Sequence, residues 1–278
     1  MMVNREALKE KKRIVVKIGS SSLTYKETGN LNYEKLEKLV RVLTDLNNQG
    51  KEVILVSSGA IAVGKRALLG HKDDSLAYKQ ACASIGQSRL MMMYQKLFSE
   101  YNHITSQVLM TKFTVENDIS LKNATNTFNK LLELGVIPIV NENDTVSTYE
   151  IEFGDNDSLA ALVANIVNAD LVIMLTDKDG FYTDDPNSNP DAKFIPYVEE
   201  LNEDIYALAK DSSSSNVGTG GMAAKINAAK IATEGGIPLV ITNGNNIENI
   251  KAIIDGEEVG TYFLENKVEN FNIKNYID

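Results

Sequence analysis

An α/β fold with a mainly parallel sheet is what the sequence predicts, and three observations carry it. Short runs of Val, Ile and Leu recur along the chain, stretches of helical periodicity separate most of them, and each run ends in a loop of Gly, Ser, Thr, Asn or Asp. Strands alternating with helices make βαβ units, and strands covered on both faces read as continuous apolar runs rather than alternating ones. A chain of 278 residues accommodates either two compact lobes or one large α/β domain.

The elements follow in order. Arg13 to Ile18 reads as a buried strand, then Tyr33 to Asn48 as a helix and Glu52 to Val56 as a second strand. Helical patterns cover Ser75 to Tyr101 and Asn117 to Leu134, followed by a strand at Val136 to Val140. A helix at Ser158 to Asn168, a strand at Leu171 to Leu175, a helix at Met222 to Thr233 and a strand at Pro238 to Ile241 complete the series. Three segments, NNQGKEVILVSSG, LELGVIPIVNEND and TEGGIPLVITNG, run from a helix end through glycine, the usual helix stop, into a strand and a polar loop. In "LMMMYQKLFSEY", from Leu90 to Tyr101, large apolar residues face several directions, which favours core over a subunit contact.

The five strands end in GSSS, SSGA, NEND, TDKDG and TNGN. In a parallel sheet these loops gather at one edge, outside the carboxyl ends of the strands, where ligands of open α/β sheets bind. One composite ligand site is therefore expected there.

Composition narrows the function. Asp and Glu total 38 against 28 Lys and Arg, a net charge of −10 that repels nucleic-acid backbones and anionic membrane surfaces. The single cysteine, Cys82, excludes an internal disulfide framework, fits a reducing cytoplasm and reads as a small buried hydrophobe. With only His71 and His103, a histidine-based zinc site is disfavoured. The first thirteen residues lack a continuous apolar segment and no stretch reaches the ~20 apolar residues of a membrane span, so a cytoplasmic protein is expected.

Several motifs bear on chemistry. GAIAVGKR, from Gly59 to Arg66, approximates a phosphate-binding P-loop, but Arg66 stands where Ser or Thr should meet magnesium, and Ala60 to Val63 reads as helix. GTGGMA, from Gly218 to Ala223, approximates a dinucleotide fingerprint but follows DSSSSNV instead of a buried strand. What remains is a Ser- and Gly-rich loop opening a helix with Lys225 in its first turn, an arrangement that lays N–H groups and a cation against phosphates. Lys17 lies near the end of a buried strand, where its ammonium either reaches a ligand or carboxylate or snorkels to solvent. Asp155 and Asp157 precede a helix and suit caps; the calcium-loop pattern does not continue. TDKDGFYTDDP reads as a tight turn entering a short hairpin.

Taken together, VVKIGSSSLT, VSSGAIAVG, GQSRL, PIVNENDTV, FGDNDSLAALVA, LTDKDGFYTDDP and GTGGMAAK occur in the order and at about the separations of one family. From Arg13 to about Thr261 the chain resembles the glutamate 5-kinases of the amino-acid kinase family. Aspartokinase, acetylglutamate kinase, carbamate kinase and uridylate kinase share the fold and the lysines, but NEND, GDND and GQSRL together point to the glutamate enzymes. The resemblance implies a three-layer αβα sandwich, a single amino-acid kinase domain whose N-terminal lobe, 13–168, binds the amino acid and whose C-terminal lobe, 169–278, binds ATP. It implies phosphorylation of the L-glutamate side-chain carboxylate to L-glutamyl 5-phosphate, the first step of proline biosynthesis.

The same resemblance carries residue roles. Lys17, Lys225 and Asp157 form the implied catalytic set, with Asp157 orienting the two lysines. Ser57, Asp144 and Asn156 would hold glutamate. Lys17, Thr176, Asp177 and the segment Thr219, Gly220, Gly221, Met222, Ala223, Ala224 and Lys225 would serve ATP, with Mg²⁺ carried by the nucleotide phosphates and no protein metal ligand. Implied partners are L-glutamate and ATP, a glutamyl-phosphate reductase and further copies of the chain in a homodimer or homotetramer. Many members continue into a C-terminal PUA domain; this sequence stops at Asp278, so a short form without that module is expected.

Overall fold

The computed structural model describes residues 5–25, 27–68, 71, 73–147, 156–211 and 221–277. Its elements are, in chain order, β1 (Arg13–Ile18), α1 (Ser20–Leu23), α2 (Tyr33–Asn48), β2 (Glu52–Ser57), α3 (Ala60–Ala67), α4 (Leu76–Ser99), β3 (Thr105–Met110), α5 (Lys112–Glu116), α6 (Asp118–Glu133) and β4 (Ile137–Glu142). Then come α7 (Asn156–Ile166), β5 (Leu171–Thr176), β6 (Phe181–Tyr182), β7 (Phe194–Ile195), β8 (Tyr197–Val198), α8 (Glu203–Asp211), α9 (Met222–Glu234), β9 (Leu239–Asn243), α10 (Asn249–Ile254) and β10 (Thr261–Phe263). The chain divides into two compact units, residues 18–153 and residues 1–17 joined to 154–278. Within each unit the strands pair into a mainly parallel arrangement, and β6 and β7 pair separately as an antiparallel ribbon.

In the unit of residues 18–153 the strand order is β3-β4-β2, and both pairings are parallel. All six residues of β4 are buried, whereas β3, TSQVLM, buries only its last residue. That polar composition explains why β3 is not among the apolar runs of the sequence. On α4, Cys82, Leu90, Tyr94 and Phe98 form a stripe exposed by no more than 1%, so the LMMMYQKLF segment is core on one face, while Met92 on the other is 58% exposed. The contact between α3 and α4 is backbone-close: a Cβ on Gly86 would lie 1.7 Å from the Ala60 carbonyl oxygen. Only glycine fits there.

In the other unit the order is β1-β5-β9-β10-β8. β5 and β9 run parallel in register from Val172↔Leu239 to Thr176↔Asn243, while β10 is antiparallel to β9 and parallel to β8. Ala160, Ala161 and Ala164 on α7 and Ala228, Ala229 and Ala232 on α9 are buried, and such small side chains let two helices approach closely. Arg5 fastens the start of this unit to its end: its guanidinium donates to the carbonyls of Val259 at 2.7 Å, Pro196 at 2.8 Å and Gly260 at 3.0 Å, and lies over the Tyr262 ring.

The α/β expectation and every strand and helix read from the sequence are present, β1 and α2 with the expected bounds and the others with shifted ends. β4 continues through Asn141 and Glu142, β2 through Ser57, and α7 begins at Asn156. Ser20–Leu23, expected as part of a polar loop, forms the single-turn helix α1. Helix α3 begins at Ala60, leaving no P-loop in GAIAVGKR. No helix among the described residues is long and apolar enough to cross a membrane.

Candidate active site

Three charged side chains meet in the unit that joins residues 1–17 to 154–278. Strand β1 buries Ile14, Val15, Val16 and Ile18 completely, and Lys17, only 7% exposed, is carried in with them. Asp157, in the first turn of α7, is fully buried; Lys225, in the first turn of α9, is 7% exposed. One carboxylate oxygen meets each lysine: Lys17 Nζ lies 2.5 Å from Asp157 Oδ1, and Lys225 Nζ donates to Oδ2 at 3.0 Å. Asp157 is thus an ion-pair bridge as well as a first-turn helix residue, and Lys17 reaches a carboxylate instead of snorkelling to solvent.

Burial pushes the Asp157 carboxyl up, but the charges of Lys17 and then Lys225 and their hydrogen bonds outweigh it and hold the group below the usual aspartate range. Two cations thus meet one buried carboxylate, an arrangement that holds two like charges side by side at the ends of β1 and α9. Gly221, extended at φ −62° and ψ 178°, caps α9 without a side-chain acceptor, so the helix start that carries Met222, Ala223, Ala224 and Lys225 is suited to an anion. Thr219 and Gly220 lie outside the described residues.

Thr176 closes β5, 6% exposed, and its hydroxyl donates to Asp177 Oδ1 at 3.1 Å; Asp177 itself is exposed. The Gly244 amide donates to the Thr176 carbonyl at 2.7 Å, which joins the ends of β5 and β9. Neither Thr176 nor Asp177 bonds to the Lys17, Asp157, Lys225 cluster. Asn156 is the first residue of α7, directly before Asp157.

In the unit of residues 18–153, Ser57 ends β2 and is 1% exposed. Its hydroxyl shares a buried hydrogen bond of 2.9 Å with the Tyr94 hydroxyl. Gly59, at φ 105° in the left-handed region that glycine alone enters readily, turns the chain from β2 into α3. The parallel register Val56↔Val140 sets Ser57 level with Asn141, so the β2 and β4 loops share one edge. Asn141 donates to Gln87 Oε1 at 2.9 Å, Ser147 donates to Glu142 Oε1 at 3.1 Å, and Asp144 lies half-buried in the turn that follows β4.

Tyr94 and Gln87 were missed as site residues by the sequence reasoning. Both stand directly behind the loops at the strand ends. A signal existed for Tyr94: it belongs to the core stripe of an apolar helix, and a buried tyrosine hydroxyl needs a polar partner. Among the described residues no three His, Cys, Asp or Glu converge as a metal-binding group.

A sequence model of the amino acid kinase family matches residues 12–243. The glutamate 5-kinase of Clostridium perfringens (strain 13 / Type A) is 50% identical over 270 residues, spanning 95% of this chain and 100% of that protein. The glutamate 5-kinase of Carboxydothermus hydrogenoformans is 53% identical over 264 residues, spanning 95% of this chain and 70% of that protein. Among solved structures, carbamate kinase from Giardia lamblia bound to AMP-PNP superposes with a TM-score of 0.66 at 18% identity, covering 93% of this chain and 100% of that one. UMP kinase from Ureaplasma parvum gives 0.65 at 17% identity, covering 91% and 99%.

Proposed function

Because the chain belongs to the amino acid kinase family, and within it to the glutamate 5-kinases, we propose that it transfers the γ-phosphoryl group of ATP to the side-chain carboxylate of L-glutamate. An oxygen of that carboxylate bonds to the γ-phosphorus, the bond from phosphorus to the bridging oxygen breaks, and ADP leaves with the electron pair. The product is L-glutamyl 5-phosphate, and the reaction opens proline biosynthesis. The observation that carries this reading is the buried Lys17, Asp157, Lys225 cluster.

A glutamate carboxylate, with an ordinary pKa of about 4.3, is ionised at neutral pH, so no general base is needed. The difficulty is holding one anion against another, and catalysis is mostly positioning plus neutralisation of charge. Lys17 and Lys225 supply the neutralisation, and Asp157 keeps two like charges from separating. Met222, Ala223 and Ala224 at the start of α9 belong to the nucleotide-binding segment, with Thr219, Gly220 and Gly221 before them. Thr176 and Asp177 serve the nucleotide from the end of β5. Ser57, Asp144 and Asn156 hold the amino acid, which assigns glutamate to the N-terminal lobe, 13–168, and ATP to the C-terminal lobe, 169–278. Mg²⁺ rides on the phosphates and screens their charge.

The proposal extends to a cytoplasmic location, a homodimer or homotetramer, and a glutamyl-phosphate reductase that takes up the acyl phosphate before it hydrolyses or cyclises. Trapping with hydroxylamine tests the reaction. ATP-dependent hydroxamate should form from L-glutamate and hardly at all from L-aspartate or N-acetyl-L-glutamate. A preference for either of the latter acids would overturn the substrate assignment.

A further inference from the structure

One motif of the sequence keeps a residue that the proposed reaction does not use. In GQSRL, Gly86 packs on the Ala60 carbonyl and Gln87 accepts from Asn141, both structural tasks. Arg89, two residues on and exposed, makes no hydrogen bond or ion pair with any described residue. It lines a groove of about 280 Å³ together with Gly29, Asn30, Tyr33, Val63 and Arg66, all within the unit of residues 18–153.

The groove is built. Asn30 is fixed by its neighbours, since its carbonyl accepts from the Tyr25 amide at 2.9 Å and its own amide donates to Thr28 Oγ1 at 3.2 Å. Asn30 Oδ1 in turn accepts from Arg66 Nε at 2.7 Å, which orients the guanidinium and leaves its two terminal nitrogens for another partner. Tyr33, 56% exposed, adds a hydroxyl donor and a ring, and Val63, 7% exposed, supplies an apolar wall.

Charge gives the groove its chemistry. The chain holds 38 acidic residues against 28 basic ones, and Lys9, Lys38, Lys130 and Lys178 each pair with a carboxylate. None of the residues lining the groove is acidic, although two are arginines. Arg66 stands in the last turn of α3, where a cation also faces the negative end of the helix, but that accounts for only one of the two. Neither Ser57 nor its partner Tyr94 is among the residues that line the groove.

We propose that this groove is a second anion site, in which Arg66 and Arg89 take the carboxylate or phosphate group of a small metabolite. Guanidinium forks match both oxyanions in the same two-point manner, and the volume suits a ligand of a few heavy atoms. The proposal does not depend on the reaction assigned above.

Calorimetric titration of the full chain with inorganic phosphate, and separately with succinate, tests it. Ionic strength is held constant and a non-hydrolysable ATP analogue is kept saturating to fill the nucleotide site. At least one probe should bind the unaltered chain, and the stronger probe identifies the preferred oxyanion. Arg89→Ala and Arg66→Ala should each weaken that probe by roughly tenfold or more, the size expected for one charge-assisted hydrogen bond. Arg89→Lys, which keeps the charge without the fork, should weaken it less. Because Arg89 bonds to nothing described in the fold, Arg89→Ala should melt at the same temperature as the unaltered chain. Binding of neither probe, or equal binding by Arg89→Ala and the unaltered chain, would overturn the proposal.

Discussion

Asp157 and Ser57 are equally closed off from water, at 0% and 1% exposure, yet their units satisfy them by different means. Ser57 meets a neutral hydroxyl on Tyr94, and the pair is complete without a ligand. Asp157 meets two ammonium groups, one on each carboxylate oxygen. A neutral pair buried in this way costs little and fixes a position, whereas buried ionic groups carry a large desolvation cost that only close, well-placed partners offset. The contrast separates two kinds of recognition. In the proposed reaction the lysine cluster serves the negatively charged phosphoryl group, and the Ser57 edge places the amino acid by shape and hydrogen bonds.

The largest effect expected from breaking this contrast is that of Asp157→Asn. The substitution preserves shape and removes the carboxylate that pairs with both lysines, leaving their like charges close together. Loss of one partner from a buried ion pair costs about 3–5 kcal/mol, which urea unfolding at neutral pH would register. Acid gives a second signature. Because the folded-state pKa of Asp157 lies below its ordinary value of about 3.9, its contribution to stability is present above that pH and disappears as pH falls through the folded value. Stability of the unaltered chain should therefore decline more steeply below about pH 4 than that of the Asn variant. Parallel acid limbs, or a neutral-pH stability within about 0.5 kcal/mol of the original, would remove Asp157 as the anchor.

Next in size is Lys225→Ala. Removing one preorganised charge-stabilising donor should lower kcat by about 10²–10³, with the glutamate KM changed far less. Near-normal turnover would show that the phosphoryl group is neutralised elsewhere.

How much of this was legible beforehand depends on the residue. The strands were readable because burial on both faces leaves an unbroken apolar run, as in β1 and β5. β3 and β10 were not, since TSQVLM is half-polar and TYF spans three residues. Lys17 was conspicuous for the same reason its strand was, a charge inside an apolar run, but whether it ended in solvent or on a carboxylate was open from position alone. Its partner lies 140 positions away, and local pattern carries no information at that range; the family resemblance supplied Asp157. Tyr94 was hidden for the opposite reason. Its ring fits the core pattern of α4 so well that the hydroxyl attracted no attention, and its partner on β2 became visible only once the helix and the strand were placed.

The smallest expected effect tests the neutral side of the contrast. Burial holds the Tyr94 phenol well above its usual range, so its hydroxyl remains protonated and available to Ser57 at every working pH. Tyr94→Phe deletes that hydroxyl while keeping the ring that packs 6.5 Å from Phe98. One neutral hydrogen bond is worth about 0.5–1.5 kcal/mol, so if Tyr94 positions Ser57 the glutamate KM should rise about 2- to 12-fold. kcat and the ATP KM should stay close to their original values, because no charge has moved. A purely structural hydroxyl would behave otherwise: the melting temperature would drop while the glutamate KM stayed put, and steady-state kinetics beside a thermal melt would separate the two. A fall in kcat as large as that of Lys225→Ala would be more damaging, since it would mean that the Ser57 edge takes part in the transfer itself and that the proposed division between amino-acid and phosphoryl recognition is wrong.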